Sequence, residues 1–152
     1  MNYMEIPSFN IIGIDVVTTN ENGQSAQDIP ALWHCFFSEG IADRIPNKTD
    51  QTIYAVYTDY EKDHTKPYTT IVGCKVSTLD EIPAGMAGKV IPAGKYHQQV
   101  ATGNISQGSV YNEWVKIWNS GLERTFTADF EAYGARAQDP ENAAVDIFVA
   151  IK

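Results

Sequence analysis

The strongest constraint on the fold is that one pattern occurs twice in the chain. Residues 28–45, DIPALWHCFFSEGIADRI, align without a gap on residues 109–126, SVYNEWVKIWNSGLERTF. Self-similarity of this kind indicates that one structural unit is repeated. The matched positions are Ile29 and Val110, Trp33 and Trp114, Phe37 and Trp118, Gly40 and Gly121, and Ile41 and Leu122.

Each half of the chain has the same predicted order of elements: an extended segment, a helix and two strands. The predicted fold class is α+β, with duplicated βαββ units related by a pseudo-twofold axis. One antiparallel sheet carries two main helices, and a central cleft lies between them. We assign a single domain, 1–152, with repeat 1 at about 5–78, a linker at about 79–92 and repeat 2 at about 93–152. The predicted extended segments are 9–19, 52–60 and 69–76 in the first repeat and 94–102, 128–136 and 144–152 in the second.

A carboxylate interrupts one of these strands. FEAY, residues 130–133, aligns with YAVY, residues 54–57, so Glu131 matches Ala55 and Tyr133 matches Tyr57. Side chains alternate along a strand, which places Glu131 opposite to Phe130. A covered face is favoured for Ala55 and Tyr57 together, and Glu131 would then face the helices. The alternative is a solvated strand charge, since a shift of one residue in register reverses the two faces.

A buried carboxylate among aromatic rings is typical of a site for an organic cation, because the rings and the charge both attract it. Burial should raise the Glu131 pKa unless tyrosine hydroxyls donate to the carboxylate. Tyr57 or Tyr96 across the cleft could donate, whereas Tyr133, two residues away on the same strand, is expected to reach it poorly. Core packing is the favoured interpretation for Trp33, Phe36 and Phe37. The candidate ligand-binding residues are Glu131, Trp114, Tyr133, Trp33, Trp118, Tyr57, Tyr96 and Phe37.

Composition limits the other functions. The formal net charge of -8 argues against direct nucleic-acid binding, which requires clustered Lys and Arg. No apolar run is long enough to span a membrane, and the first residues, MNYMEIPSFN, lack the basic region and long apolar stretch of a signal peptide. We therefore expect a cytoplasmic protein with buried free thiols at Cys35 and Cys74. The three histidines are scattered without metal-ligand spacing, and we predict neither a metal nor a cofactor.

Five pieces of the sequence, in the correct order, resemble the effector-binding domains of the GyrI-like superfamily. They are IYAVYTDYEKD, IPAGKYHQQV, a Trp-x3-Trp helix, FEAYG and VDIFVAIK. That superfamily includes the ligand domains of multidrug-responsive, AraC-type regulators, and the integron-associated stand-alone branch is the most similar. The resemblance covers essentially the whole chain. It implies a cleft for lipophilic, often cationic, compounds, with Glu131 as the acidic anchor and Trp114 among the walls.

Three functions stay open on the sequence. The favoured one is a stand-alone small-molecule binding protein for drug or xenobiotic sensing or sequestration. The alternatives are a hydrolase of electrophilic small molecules with Glu131 as general base, and a modulator of a protein target such as gyrase. The first repeat begins within about ten residues of Met1, so we expect no DNA-binding segment before it, and a transcriptional role would act through a separate protein partner. A homodimer through an edge strand also stays open.

Overall fold

Residues 3–63 and 65–152 are described by a computed structural model, and they form eight strands and three α-helices. His64 lies outside the described residues. The strands are β1 (Tyr3–Ile6), β2 (Phe9–Thr18), β3 (Lys48–Thr58), β4 (Tyr68–Val76), β5 (Ala87–Ile91), β6 (Gly94–Gly103), β7 (Arg124–Tyr133) and β8 (Ala143–Ile151). The helices are α1 (Ser25–Ser38), α2 (Ile41–Arg44) and α3 (Ser109–Trp118).

All of these strands belong to one antiparallel sheet in the order β1-β6-β8-β7-β3-β4-β2-β5. Strands β2, β3 and β4 form one half with α1, and strands β6, β7 and β8 form the other half with α3. The predicted α+β fold of duplicated βαββ units is therefore confirmed. The residue boundaries that we assigned to the two repeats stay a prediction.

The two halves meet where β3 pairs with β7, and Glu131 lies at their centre. In this pairing Ala55 faces Glu131, and these are the two residues that the repeat alignment makes equivalent. Only a pair of equivalent residues that face each other can lie on a twofold axis. The pseudo-twofold axis consequently passes between Ala55 and Glu131, and the cleft between the two helices lies above it.

Apolar side chains fill both faces of the sheet. One cluster under α1 includes Leu32 and Phe36, and one under α3 includes Trp114 and Ile117. A third cluster on the opposite face includes Phe130 and Tyr96. The sheet curls around this third cluster, because the Phe9 and Phe130 rings lie 5.1 Å apart although two strands separate β2 from β7.

The cysteines are both free thiols, but only one is buried. Cys74 lies in the cluster under α1, as expected. The expectation of a buried Cys35 was wrong, because that side chain is exposed on α1. The apolar segment around Cys35 is therefore amphipathic, with Leu32 and Phe36 on its buried side.

A glycine pair lets β2 and β4 approach closely. Gly13 faces Gly73, and a Cβ atom on Gly73 would lie 2.2 Å from the Ile12 carbonyl oxygen. We predict that Gly73→Ala lowers the free energy of unfolding by roughly 1–3 kcal/mol, because the backbone must shift to admit the methyl group. Denaturant titration measures this loss. Gly94→Ala is the matched control, since among the described residues no atom outside its own chain neighbours lies within 4 Å of its Cβ position. Equal stability of the two variants would contradict the explanation.

Candidate functional site

A cavity of about 610 Å³ opens between the two main helices, directly above the pseudo-twofold axis. The helices provide aromatic and aliphatic walls, and the central strands β3 and β7 provide the floor. The side chains that define its shape are Ile29, Trp33, Trp114, Trp118, Tyr57 and Tyr133. Sites for small molecules commonly have volumes of about 300–1,000 Å³ and such apolar walls.

Glu131 is the carboxylate at the floor of this cavity, and it is only 2% exposed. Trp114 donates from Nε1 to Glu131 Oε2 over 2.6 Å. Tyr57 donates its hydroxyl to the same oxygen over 2.9 Å, and Tyr133 donates to Oε1 over 2.6 Å. Three neutral donors therefore hold the carboxylate in place. Within residues 3–63 and 65–152, no Lys, Arg or His forms a salt bridge with it.

Pseudo-symmetry arranges the aromatic walls around Glu131. The Trp33 ring of one half packs edge-to-face on Tyr133 of the other half, with centroids 4.8 Å apart. The equivalent pair, Trp114 and Tyr57, packs in the same way at 5.6 Å. Each tryptophan thus packs on the tyrosine of the other half, and both of these tyrosines donate a hydrogen bond to Glu131.

Burial controls the protonation of this cluster. Desolvation raises the Glu131 pKa, and the hydrogen bonds from Tyr133, Trp114 and Tyr57 lower it without cancelling the increase. Desolvation and the nearby carboxylate also raise the pKa of Tyr57 and of Tyr133 well above the ordinary tyrosine value. Both phenols consequently stay protonated near neutral pH and act as hydrogen-bond donors.

A second polar cluster lies beside the first. Asp129 is fully buried and accepts hydrogen bonds from Arg124 Nη2 at 2.8 Å, from the Tyr60 hydroxyl at 2.5 Å and from the Ala150 backbone N–H at 2.8 Å. Arg124 and Tyr60 also line the cavity. The Arg124–Asp129 pair is neutral overall, so Glu131 supplies the net charge of the two clusters.

Most of the predicted site residues come together in this cavity. Glu131, Trp114 and Tyr57 lie as the sequence predicts, and Trp33 and Trp118 also line it. The expectation that Tyr133 reaches Glu131 poorly was wrong, because its hydroxyl turns back along the strand to Oε1.

The structure does not bring Tyr96 and Phe37 into the cavity. Tyr96 is fully buried on the opposite face of the sheet, where its hydroxyl donates to the Pro92 carbonyl over 2.9 Å. It pairs with Ala150, which belongs to the same cluster on that face. Phe37 stacks on Trp33 but is 63% exposed, so it is neither a cavity wall nor a core residue.

The wall residues that the predicted set does not include comprise Tyr60, Tyr68 and Arg124. Arg124 lies before the predicted strand 128–136, and regular alternation over the five residues from Arg124 to Asp129 would put their side chains on opposite faces. A register shift between Arg124 and Asp129 in the pairing of β7 with β8 moves it to the Asp129 side, and Phe126 within this bulge has a φ of 56°. Tyr68 could have been found, since TTIVGCKV was a predicted strand and Tyr68 directly precedes it.

Known proteins are similar to this chain in sequence or in fold. The chain is 34% identical over 129 residues to YobU of Bacillus subtilis (strain 168), described as a candidate transcriptional regulator, with 82% of this chain and 79% of that protein covered. The Vibrio cholerae integron cassette protein VCH_CASS2 has a TM-score of 0.78 at 29% identity, covering 99% of this chain and 95% of that one. The structure of SAV2435 bound to tetraphenylphosphonium has a TM-score of 0.74, covering 99% and 93%, and its 17% identity shows likeness of fold alone.

A sequence model of one family matches almost the whole chain. Residues 4–151 match Cass2, the integron-associated effector binding protein. Together with the fold and the walled cavity, this match defines an effector-binding protein of the GyrI-like type. The chain belongs to the integron-associated effector-binding protein family.

In the described part of the chain, none of the helices is long and apolar enough to cross a bilayer.

The raised pKa of Glu131 gives stability a predictable pH dependence. Between the ordinary value of 4.5 and the raised folded value, the carboxyl is ionised in the unfolded chain and protonated in the folded one. Folding therefore takes up a proton, and the stability that Glu131 contributes is lost as pH rises through this window, by at most about 1.4 kcal/mol per pH unit.

Denaturant unfolding of wild type and Glu131→Gln at a series of pH values measures this loss. The wild-type free energy of unfolding should fall relative to that of the variant as pH rises, since glutamine does not titrate. Glu39→Gln, which replaces an exposed residue at the end of α1 and keeps Glu131, should fall in stability in parallel with the wild type. Parallel curves for wild type and Glu131→Gln would contradict the assignment.

Proposed function

We propose that this protein binds lipophilic organic cations in the cavity between its two main helices, with Glu131 as the acidic anchor. The observation that carries the proposal is a buried carboxylate whose partners, among the described residues, are all neutral. Transferring such a charge from water is costly unless a counter-charge accompanies it. A bound cation would supply that counter-charge.

The walls fit the chemistry of a bulky, apolar cation. Trp33, Trp114, Tyr57 and Tyr133 present π systems next to the anchor. Each cation–π contact contributes about 0.5–2 kcal/mol, more when water is excluded. The apolar parts of the ligand would replace water against the aliphatic side chains of the helices.

The hydrogen bonds that Glu131 already accepts favour cations that need not donate a hydrogen bond to it. Its two oxygens already accept three hydrogen bonds, and a carboxylate accepts about four. A phosphonium, a quaternary ammonium or a delocalised dye interacts through charge alone and leaves these bonds intact. The tetraphenylphosphonium in the related fold of SAV2435 is such a cation, which supports its choice as the probe.

We place this binding in drug or xenobiotic sensing or sequestration. The match to YobU, described as a candidate transcriptional regulator, supports a link with regulation. Action through a separate protein partner, a homodimer and the cytoplasmic location stay predictions.

The proposal predicts that Glu131→Gln weakens tetraphenylphosphonium binding by tenfold or more, which is about 1.4 kcal/mol. Glutamine keeps the shape of the side chain and can donate from its amide to the Tyr133 hydroxyl, so the cavity should keep its form. Titration followed by tryptophan emission measures the dissociation constant, because Trp33 and Trp114 line the cavity.

Two controls distinguish the effect of Glu131 from the effects of surface charge and of ligand shape. Glu39→Gln removes one surface carboxylate outside the cavity and should bind as wild type. Tetraphenylborate has nearly the shape of tetraphenylphosphonium with the opposite charge and should not bind. Equal affinity of wild type and Glu131→Gln for the cation would refute the role of the anchor.

A further inference from the structure

The cavity offers a ligand a single net charge. Among the described residues that line it, Glu131 is the only Asp or Glu, and Arg124 is the only Lys or Arg. Asp129, which does not line the cavity, pairs with Arg124 over 2.8 Å and neutralises it. Ala55 faces Glu131 across the pseudo-twofold axis, so the symmetry of the fold does not bring a second carboxylate to the floor.

Four of the tyrosines that line the cavity add no second negative charge. Burial raises the pKa of each of their hydroxyls above the ordinary tyrosine value, so the four stay protonated near neutral pH. Each hydroxyl donates its proton within the protein: Tyr57 and Tyr133 to Glu131, Tyr60 to Asp129, and Tyr68 to Asn20. The rings attract a cation, but more weakly than a carboxylate does where water is excluded.

A second positive charge inside the cavity would therefore lack a partner. A site of about 610 Å³ encloses most of a small aromatic ligand, so both charges of a compact, rigid dication would lie between the two helices. One charge would meet Glu131, and the other would face aromatic and aliphatic side chains. Moving an unpaired charge from water to such surroundings is unfavourable.

We propose that the cavity selects organic monocations and discriminates against compact dications, because Glu131 is the only counter-charge that it offers. This inference rests on the proposed function and narrows the class of ligand. It runs against the charge of the whole molecule, since a formal net charge of -8 attracts a dication more strongly than a monocation. A preference for the monocation consequently reports on the cavity itself.

Two probes of the same outline test this directly. Methyl viologen is a rigid bipyridinium dication, and N-methyl-para-tolylpyridinium is a monocation in which a carbon atom replaces the second ring nitrogen. We expect wild type to bind the monocation at least about tenfold more tightly, in about 0.15 M sodium chloride. Calorimetric titration measures both dissociation constants, because it does not depend on how each probe quenches tryptophan emission.

Variants at Tyr111 test whether the missing counter-charge is the cause. Tyr111 lines the cavity and is 63% exposed, so its replacement should leave the fold intact. Tyr111→Glu adds a second carboxylate at the open side, and Tyr111→Gln is its uncharged match. The preference for the monocation should be about threefold smaller in Tyr111→Glu than in Tyr111→Gln. Val17→Glu, which adds the same charge at an exposed position outside the cavity, should keep the wild-type preference.

Each outcome decides the inference. If wild type binds methyl viologen as tightly as the monocation, or does not bind the monocation, the inference is wrong, and binding of tetraphenylphosphonium would leave the proposed function standing. The same preference in Tyr111→Glu and Tyr111→Gln would also overturn the inference, because the apolar walls rather than the single counter-charge would then cause the preference. Failure of tetraphenylphosphonium as well as the pyridinium to bind overturns the proposed function together with this inference.

Discussion

The burial of one carboxylate on the pseudo-twofold axis is the constraint on which the site depends. Glu131 gives up its hydration and receives three hydrogen bonds from neutral groups in return. Those donors come from both halves of the molecule, since Tyr57 lies on β3 and Trp114 and Tyr133 belong to the second repeat. Folding the two halves together therefore builds the site, and in the proposed function a bound cation supplies the counter-charge that these donors lack.

Duplication explains the paired aromatic walls of the cavity, and the difference between Ala55 and Glu131 explains why only one carboxylate lies on the axis. The paired Trp–Tyr contacts repeat on each side of the axis, but the residue facing Glu131 is Ala55. Side chains at directly opposed positions have Cβ atoms about 4.5–5.5 Å apart. Two carboxylates there would repel each other and share a proton, whereas alanine leaves a single anionic centre and room beside it.

The sequence predicted those features that depend on local periodicity. The repeat yielded the element order, and alternation along FEAY placed Glu131 toward the helices and Phe130 away from them. The direction of a long side chain could not be predicted in this way, as Tyr133 shows, because a tyrosine hydroxyl can reach back to a residue two positions away. The bulge in β7 could not be predicted either, because it depends on the pairing of β7 with β8, and it reverses the face on which Arg124 lies. Tyr96 was misplaced because the face that it occupies follows from the register of β6 against β8.

If a cation binds beside Glu131, the charge of Glu131 and the occupancy of the cavity are two aspects of one equilibrium. Calorimetric titration with tetraphenylphosphonium in buffers of different ionisation enthalpy tests this most directly, at pH values between 4.5 and neutrality. Because the probe itself does not titrate, any proton exchanged comes from the protein. Wild type should release protons on binding in part of this range, and Glu131→Gln should release none. If the cation binds wild type and proton release is absent at every pH tested, Glu131 is not the group that the cation neutralises.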